Sequence, residues 1–261
     1  MTAPARNIGD HLRQWRQRRR LSQLALASEA EISPRHLSFV ETGRSTPSRE
    51  MILHLAEQLQ IPMRERNVLL VAGGYAPIFP ERALNNPALA AARAAMDVVL
   101  QSHKPFPAFA LDRHWNIVAS NAALPQLYEG VAQHLLQPQI NAMRLSLHPH
   151  GLAPRILNLA EWRAHLLTRL KQQVDLTADP VLIALQKEVA SYPVPLSAPP
   201  RVDPAAVLVP FKIRMGDASL SFFSTTTVFG TPVDVTLSEL AVESFFPADD
   251  ATAQIIRRLS T

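Results

Sequence analysis

The chain has 261 residues, of which 47% are apolar and 18% charged. This composition is typical of a packed globular protein, excludes a disordered or membrane-embedded chain, and the length suggests two modest domains. The sequence contains no cysteine, which excludes disulfide frameworks, thiolate metal sites and cysteine nucleophiles.

The formal net charge of +4 is carried by the first third of the chain. Residues 1–80 contain eleven Arg and no Lys against seven Asp and Glu, and the remaining residues carry fifteen charges of each sign. A local cationic surface favours nucleic acid, because neutralising phosphates releases condensed counterions. Charge alone is equally compatible with a solvated basic face, so it suggests DNA as a partner without establishing it.

The N-terminal segment is too polar for a signal peptide. No uninterrupted apolar stretch reaches the about 18–20 residues that a membrane span needs. We therefore expect a cytoplasmic protein that does not bind membranes.

Five short helices with tight turns are predicted near the N-terminus, over residues 8–20, 22–30, 33–43, 48–60 and 62–74. Ser22, Ser33 and Ser48 are each placed to cap the start of a helix. Gly43 is predicted to end the third helix in the left-handed conformation. The pattern predicts an all-α, five-helix domain over residues 1–74.

Residues 75–104 are predicted to form a connector and an alanine-rich helix over 87–100. Residues 105–261 are predicted to form an α+β domain with a mainly antiparallel, five-stranded sheet. Its predicted strands cover residues 106–112, 116–121, 207–215, 218–229 and 231–240, with an extension of the last strand to 246 left open. Helices are predicted from about 122, over 154–173 and over 180–191, and a proline-rich loop is predicted over 192–204.

Residues 22–44 have the pattern of a helix-turn-helix, in which a scaffold helix and a tight turn present a second helix to the major groove. Apolar residues at Leu26, Leu37 and Val40 are predicted to hold the two helices together. An Arg at position 35 can donate bidentately to guanine, and Arg44 is placed for a phosphate. The predicted DNA-contacting residues are Gln23, Ser33, Arg35, His36, Ser38, Phe39 and Arg44.

A resemblance to the phage-repressor-like (XRE) helix-turn-helix family is carried by Gln23, Leu26-Ala27, Ile32-Ser33, Leu37, Val40-Glu41 and Gly43-Arg44. One departure is Glu31, where that family usually has Gly. A side chain there costs on the order of 1 kcal/mol if the turn is left-handed. A five-helix bundle without a role in DNA binding is the alternative that the apolar positions alone leave open.

Longer segments resemble the MmyB-like regulators, which join such a helix-turn-helix to a PAS-like ligand-binding domain. These segments are RHLSFVETGRSTPSREMILHLAEQL, RNVLLVAGGYAP and FFSTTTVFGTPVDVTLSELAVESFFPAD. The resemblance implies a transcription regulator whose C-terminal domain holds a small apolar ligand, with a fatty-acyl compound as one option and no other cofactor.

The segment FALDRHWNIVASNAA independently has the strand, turn, strand and helix start of a PAS-like sensor, with Asn121 placed to cap the helix. A cavity between such a sheet and its helices is a usual place for a small ligand. The apolar residues predicted to line it are Leu127, Tyr128, Met143, Trp162, Leu166, Phe211, Phe222 and Phe223. Arg144, His148 and Arg155 are candidates to receive a carboxylate. The apolar residues are more typical of plain core than of a pocket, and the three polar residues are equally compatible with surface groups.

No metal site is expected, because the spacing of His114, His148 and His150 matches no recognised site. No nucleophile and base can be assembled either, so we do not expect an enzyme. The expected partners are double-stranded DNA, a small apolar ligand and a second copy of the chain. A C-terminal domain that serves only for dimerisation or partner docking is the alternative function, and a hydrolase fused to a DNA-binding domain is a third.

Overall fold

The structure is a computed structural model that describes residues 7–193 and 208–259. The chain divides into two compact units. The first comprises Met1–Arg82 with the short segments Asp175–Thr177 and Val233–Val235, and the second comprises the rest. None of the helices in the described ranges is both long and apolar enough to cross a membrane.

The first unit contains the five predicted helices: α1 (Ile8–Arg18), α2 (Gln23–Glu29), α3 (Pro34–Glu41), α4 (Arg49–Gln58) and α5 (Met63–Ala72). The three serine caps are confirmed. The hydroxyls of Ser22, Ser33 and Ser48 accept hydrogen bonds from backbone amides three residues later, at 3.0, 3.1 and 3.2 Å. The helices enclose one apolar core that includes fully buried Leu12, Leu26, Leu37, Val40, Ile52, Leu55, Leu69 and Leu70.

The turn between α2 and α3 is left-handed at Glu31, which has a φ of +52°. The departure from glycine that the sequence shows here therefore carries the expected strain. Gly9 on α1 serves a different purpose, because it permits a close approach between α1 and the end of α3. A Cβ at Gly9 would lie 2.4 Å from the carbonyl oxygen of Val40, so only glycine lets α1 cross the end of α3 at this distance.

A buried polar network joins the first three helices. The Arg16 guanidinium on α1 donates to both carboxylate oxygens of Glu41 on α3, at 2.6 and 2.8 Å. The Gln23 side-chain amide on α2 donates to the same carboxylate at 2.7 Å. The Glu41 side chain is 1% exposed. The hydrogen bond to Glu41 raises the pKa of Arg16 against the opposing effect of burial.

The remaining described residues form an α+β unit. Its helices are α6 (Ala90–Ser102), α7 (Ala142–Leu147), α8 (Leu159–Thr177), α9 (Pro180–Ala190), α10 (Val235–Ser238) and α11 (Asp250–Leu259). Its strands are β1 (Ala108–Leu111), β2 (Ile117–Ser120), β3 (Phe211–Met215), β4 (Ala218–Val228) and β5 (Ala241–Pro247). The strand order is β2-β1-β5-β4-β3 and every neighbouring pair is antiparallel, which confirms the predicted five-stranded sheet.

Both faces of β1 are covered, because successive side chains of a strand point to opposite faces. Phe109 and Leu111 belong to the main core, together with apolar residues of α7, α8 and α9. Ala108 and Ala110 belong to a separate cluster with Met96 of α6. The sheet thus has a thick apolar layer on one face, and this layer contains the cavity described below.

The predicted strand over residues 231–240 is wrong. Pro232 has no amide to donate to a ladder, and the chain instead forms the short helix α10 before it enters β5 at Ala241. The register explains the shift, since Ala241 pairs with Val228 and Phe246 pairs with Phe223. The residues left open as an extension are in fact most of the strand, and α11 was not predicted.

Other boundaries also differ. The helix predicted from about residue 122 is only a 3-10 turn, Leu124–Tyr128, which contains Pro125. Asn121 is a buried residue and not only a helix cap. Its side-chain oxygen accepts hydrogen bonds from the amides of Ala108 and Ala123. The helix predicted from 154 begins at Leu159 after another 3-10 turn. Of the predicted proline-rich loop, residues 194–204 lie outside the described residues.

Replacing Glu31 with Gly should stabilise the first unit, because glycine adopts a φ of +52° without strain. We expect Glu31→Gly to raise the free energy of unfolding by about 1 kcal/mol in urea denaturation. The matched control is Glu29→Gly in α2, where glycine is expected to lower the free energy of unfolding by up to about 1 kcal/mol. Destabilisation by both changes would show that the turn is not strained.

Removing the Glu41 side chain should change the free energy of unfolding far more than the substitutions at Glu31 and Glu29, because Arg16 would remain buried without its partner. We expect Glu41→Ala to lower the free energy of unfolding by about 3–5 kcal/mol. The exposed Glu57 on α4 provides the control, and Glu57→Ala should change it by no more than about 0.5 kcal/mol. Similar small effects of both variants in urea denaturation would contradict the role given to this network.

Candidate DNA-reading surface and ligand cavity

Helix α3 presents an exposed surface that we call the reading face, formed by Ser33, Arg35, His36, Ser38, Phe39 and Arg44. The opposite side of α3 is anchored by Leu37 and Val40, which are fully buried. Arg35 and Arg44 are exposed and Phe39 is half-buried. The structure therefore brings six of the seven predicted DNA-contacting residues onto one surface around α3.

Phe39 is the centre of the reading face. The Arg35 guanidinium lies 5.3 Å from the centroid of its ring, and the Arg44 guanidinium lies 5.9 Å from it. Both distances are within the range of a cation–π interaction. Phe39 thus holds two cationic side chains, one at the start of α3 and one after its end, beside each other.

The backbone at the end of α3 explains how Arg44 reaches Phe39. Gly43 has a φ of +72°, and the amide of Arg44 donates to the carbonyl oxygen of Phe39 at 2.8 Å. This is the left-handed helix end expected from the sequence. It turns the chain back on the last turn of α3 and places the Arg44 side chain over the same ring as Arg35.

The seventh predicted residue, Gln23, has its amide nitrogen committed to Glu41. Its contact with DNA remains a prediction. The basic run at the end of α1 is also divided, since Arg16 points inward to Glu41 whereas Arg18 and Arg19 lie over the ring of Trp15, each at 5.3 Å. Burial, with a smaller contribution from the charge of Arg18, lowers the pKa of Arg19.

The second unit contains a cavity of about 50 Å³ between the sheet and α7 and α8. Five of the eight predicted apolar lining residues do line it: Leu127, Met143, Trp162, Leu166 and Phe211. The prediction missed Phe109, Leu111, Trp115, Leu124, Ala142, Leu145, Ser146, Leu152, Arg169, Glu243 and Phe245. Most of the missed residues lie on β1, α7 and β5, whose approach to one another is set by tertiary structure.

The other three predicted apolar residues, Tyr128, Phe222 and Phe223, are not among those that line this cavity. Phe222 is fully buried in the main core, with its ring 6.4 Å from that of Phe211. Phe223 stacks on Phe246 at 5.3 Å, on the opposite face of β4 from Phe222. Tyr128 packs against the core from its edge, and burial raises its pKa to about 12.

The predicted carboxylate-binding residues also lie outside the cavity lining. Arg144 donates to both carboxylate oxygens of Glu188, at 2.7 Å each. Arg155 donates to the carbonyl oxygen of Leu127. His148 lies beside His134 and His150. Arg144 and Arg155 thus have partners within the fold.

The charged groups that line the cavity are Arg169 of α8 and Glu243 of β5. The Arg169 guanidinium donates to both oxygens of Glu243 at 2.9 and 3.0 Å and lies 5.0 Å from the ring centroid of Trp115. The Glu243 side chain is 4% exposed. Its burial would raise the pKa, but the hydrogen bonds and charge of Arg169 outweigh that effect and hold the pKa below its usual value.

The sequence itself indicates that Glu243 needs a charged partner. Glu243 is an acidic residue inside the otherwise apolar strand AVESFF, and a buried carboxylate requires a charged partner. Its partner Arg169 is 74 residues away. Trp162 completes the polar lining, since its indole nitrogen donates to the Ser146 hydroxyl at 2.9 Å.

Comparison with known proteins agrees with this division of the chain. Residues 7–69 match a helix-turn-helix domain family, and residues 92–259 match the ligand-binding domain of MmyB-like transcription regulators. No curated protein matches. Four solved chains match, among them an RNA-binding light-oxygen-voltage receptor with 11% identity and a TM-score of 0.27. The alignment covers 96% of this chain but only 60% of that receptor.

The second of these family matches extends over more than half of the chain, from α6 to the end of α11. The first includes all of α2 and α3, and with them the reading face. The chain therefore belongs to the MmyB-like transcription regulators, with a helix-turn-helix domain followed by a ligand-binding domain.

Proposed function

We propose that this regulator reads a specific DNA sequence by placing α3 in the major groove, with Arg35 as the principal base-reading residue. The observation that carries the proposal is the exposed pair of arginines held over Phe39. Arg35, at the start of α3, can donate bidentately to a guanine edge. Arg44, beyond the helix end, can contact a phosphate.

The smaller reading-face residues extend this contact. Ser33 and Ser38 can donate or accept at base edges or phosphates, and the His36 ring lies one residue beyond Arg35. One such module buries little DNA surface. We therefore propose that the protein binds as a homodimer to two half-sites about one helical turn apart, about 34–36 Å, and that it acts in the cytoplasm.

We further propose that a small apolar ligand, of fatty-acyl type, binds between the sheet and α7 and α8. The walls of the cavity are apolar except near Arg169, Glu243 and Ser146. The Arg169 guanidinium and the Ser146 hydroxyl can donate hydrogen bonds to the polar end of such a ligand. The cavity volume of about 50 Å³ is below the about 300–1,000 Å³ of ordinary ligand sites, so binding requires α7 or the Trp162 side chain to move.

Such a movement provides a route to regulation. A ligand that binds the expanded cavity more tightly than the compact one shifts the protein towards the expanded state. The shift can alter the relative placement of two DNA-binding units in a dimer. Its size is limited by the difference in ligand affinity between the two states.

The small cavity volume also favours a second candidate function. In this alternative the core of the second unit is already filled, and the unit serves only for dimerisation or docking of a partner. The close packing of Phe211, Phe222 and Phe245, with ring centroids 5.6–6.4 Å apart, supports it. The two candidates differ in whether the cavity takes up a ligand.

Substitutions on the reading face test the DNA-binding proposal. We expect Arg35→Ala to lose about 1–3 kcal/mol of discrimination at one base pair in each half-site, measured by fluorescence anisotropy on operator variants selected from random duplexes. Arg44→Ala should weaken binding to all duplexes alike and reduce the slope of log affinity against log salt by about 1 per contact.

Phe39→Leu provides the matched test of how the arginines are positioned. It keeps both charges and an apolar side chain but removes the ring, so we expect weaker specific binding with an unchanged salt slope. Arg49→Ala, at an exposed arginine on α4, is the charge control. Wild-type affinity and specificity in both Arg35→Ala and Arg44→Ala would show that α3 is not the reading helix.

Filling the cavity tests the ligand proposal. Fatty acids of graded chain length should raise the melting temperature of the wild-type protein after delipidation, with an optimum length. Ala142→Leu adds three carbons to the cavity wall and should abolish this increase. The matched control is Ala164→Leu at an exposed position of α8, which should retain it. No increase with any chain length, together with no small molecule released on denaturation, would support the docking candidate instead.

A further inference from the structure

Three histidines converge outside the ligand cavity, on the surface of the second unit. His134 lies in the 3-10 turn Gln133–Leu135, and His148 and His150 follow the end of α7. Each ring offers one nitrogen, and these three nitrogens lie within 4.8 Å of one another. We propose that these residues, the histidine triad, form a binding site for a divalent transition metal of the zinc type, contrary to the expectation from sequence spacing.

The chemistry of the triad fits this class of metal. Neutral imidazoles suit Zn²⁺, Ni²⁺, Co²⁺ and Cu²⁺, whereas Mg²⁺ and Ca²⁺ require oxygen ligands. A tetrahedral ion with Zn–N bonds of about 2.0–2.1 Å brings its ligand nitrogens to about 3.3 Å from one another. His134 and His150 are exposed and can rotate to close this distance. The fourth position is then left for water.

The backbone joins the two segments that carry the triad. The amide of Ala132 donates to the carbonyl oxygen of His150 at 2.9 Å, and the amide of Gly151 donates to that of His148 at 2.8 Å. A Cβ at Gly151 would lie 2.3 Å from the carbonyl oxygen of Leu145. Glycine therefore allows the tight turn after α7. The ligand-bearing segments are brought together by the fold before any metal arrives, which lowers the entropy cost of binding.

The surroundings of His148 restrict its ring by packing. The Tyr192 ring contacts the His148 ring edge-on at 5.0 Å, and the Tyr192 hydroxyl donates to Glu188 at 2.6 Å. Glu188 is in turn held by Arg144 of α7. The His148 ring therefore packs against a side chain that is itself fixed by hydrogen bonds.

One contact must change when a metal binds. The amide of His150 donates to the Nδ1 atom of His148 at 3.0 Å. A metal at Nε2 requires the ring proton to move to Nδ1, which releases this hydrogen bond, and a metal at Nδ1 displaces the amide directly. His150 is an exposed residue, so water can take over the released amide.

The position of the histidine triad links metal binding to the cavity of the second unit. It lies at the C-terminal end of α7, and Ala142, Met143, Leu145 and Ser146 of the same helix line the cavity. A metal that ties His148 and His150 to His134 would restrain α7, one of the elements whose movement would expand the cavity.

The test uses the full chain without a polyhistidine tag, stripped of metal with a chelator. We expect one Zn²⁺ per chain in competition with a chromogenic chelator, and the visible absorption of a tetrahedral site with Co²⁺. His134→Gln and His150→Gln should each weaken Zn²⁺ binding by at least about 100-fold, since loss of even an outer partner costs about 10–100-fold.

His114→Asn is the control, because His114 lies in the same unit but is paired with Asp179 at 2.9 Å and is not part of the triad. It should bind Zn²⁺ as the wild type does. Circular dichroism without metal should show that all variants are folded, which the exposure of His134 and His150 favours. Weak or non-stoichiometric binding by the wild type, or equal affinity in the triad variants, would overturn the proposal.

Discussion

A charge that is removed from water needs a partner of opposite charge, and buried carboxylates in both units of this protein meet this requirement. In the first unit Glu41 accepts hydrogen bonds from Arg16 and Gln23, and these contacts join α1 and α2 to the end of α3. In the second unit Glu243 of the central strand β5 accepts from Arg169 of α8. Removing one partner of such a pair leaves an uncompensated charge, so the crossing of these elements is set by the pairs as well as by apolar packing.

The parts of the fold that follow local rules could be predicted from the sequence. Ser22, Ser33 and Ser48 identify helix starts because their hydroxyls bond to nearby amides. Gly43 identifies the end of α3 because a left-handed residue is needed there. The reading face followed from the helical period, since placing Leu37 and Val40 inside leaves the other residues of α3 outside.

The parts that depend on distant contacts could not be predicted in this way. Arg16 belongs to a run of arginines that is typical of an exposed basic face, and only the position of Glu41 shows that it points inward. The last strand was misplaced because Val233, Val235 and Leu237 alternate with polar residues as in a strand, whereas the register of β5 is set by pairing with β4. Arg169 and Glu243 could be joined only by the tertiary fold, and the same is true of His134 and the two histidines after α7.

The aromatic ring at the centre of the reading face affects the thermodynamics of binding as well as its geometry. A free arginine side chain loses up to about 1.5–2 kcal/mol of rotamer entropy when it is fixed. Arg35 and Arg44 are already restrained over Phe39 in the absence of DNA, so part of this loss has occurred during folding. The complex should consequently gain affinity mainly through slower dissociation, as is usual when a binding surface is ordered in advance.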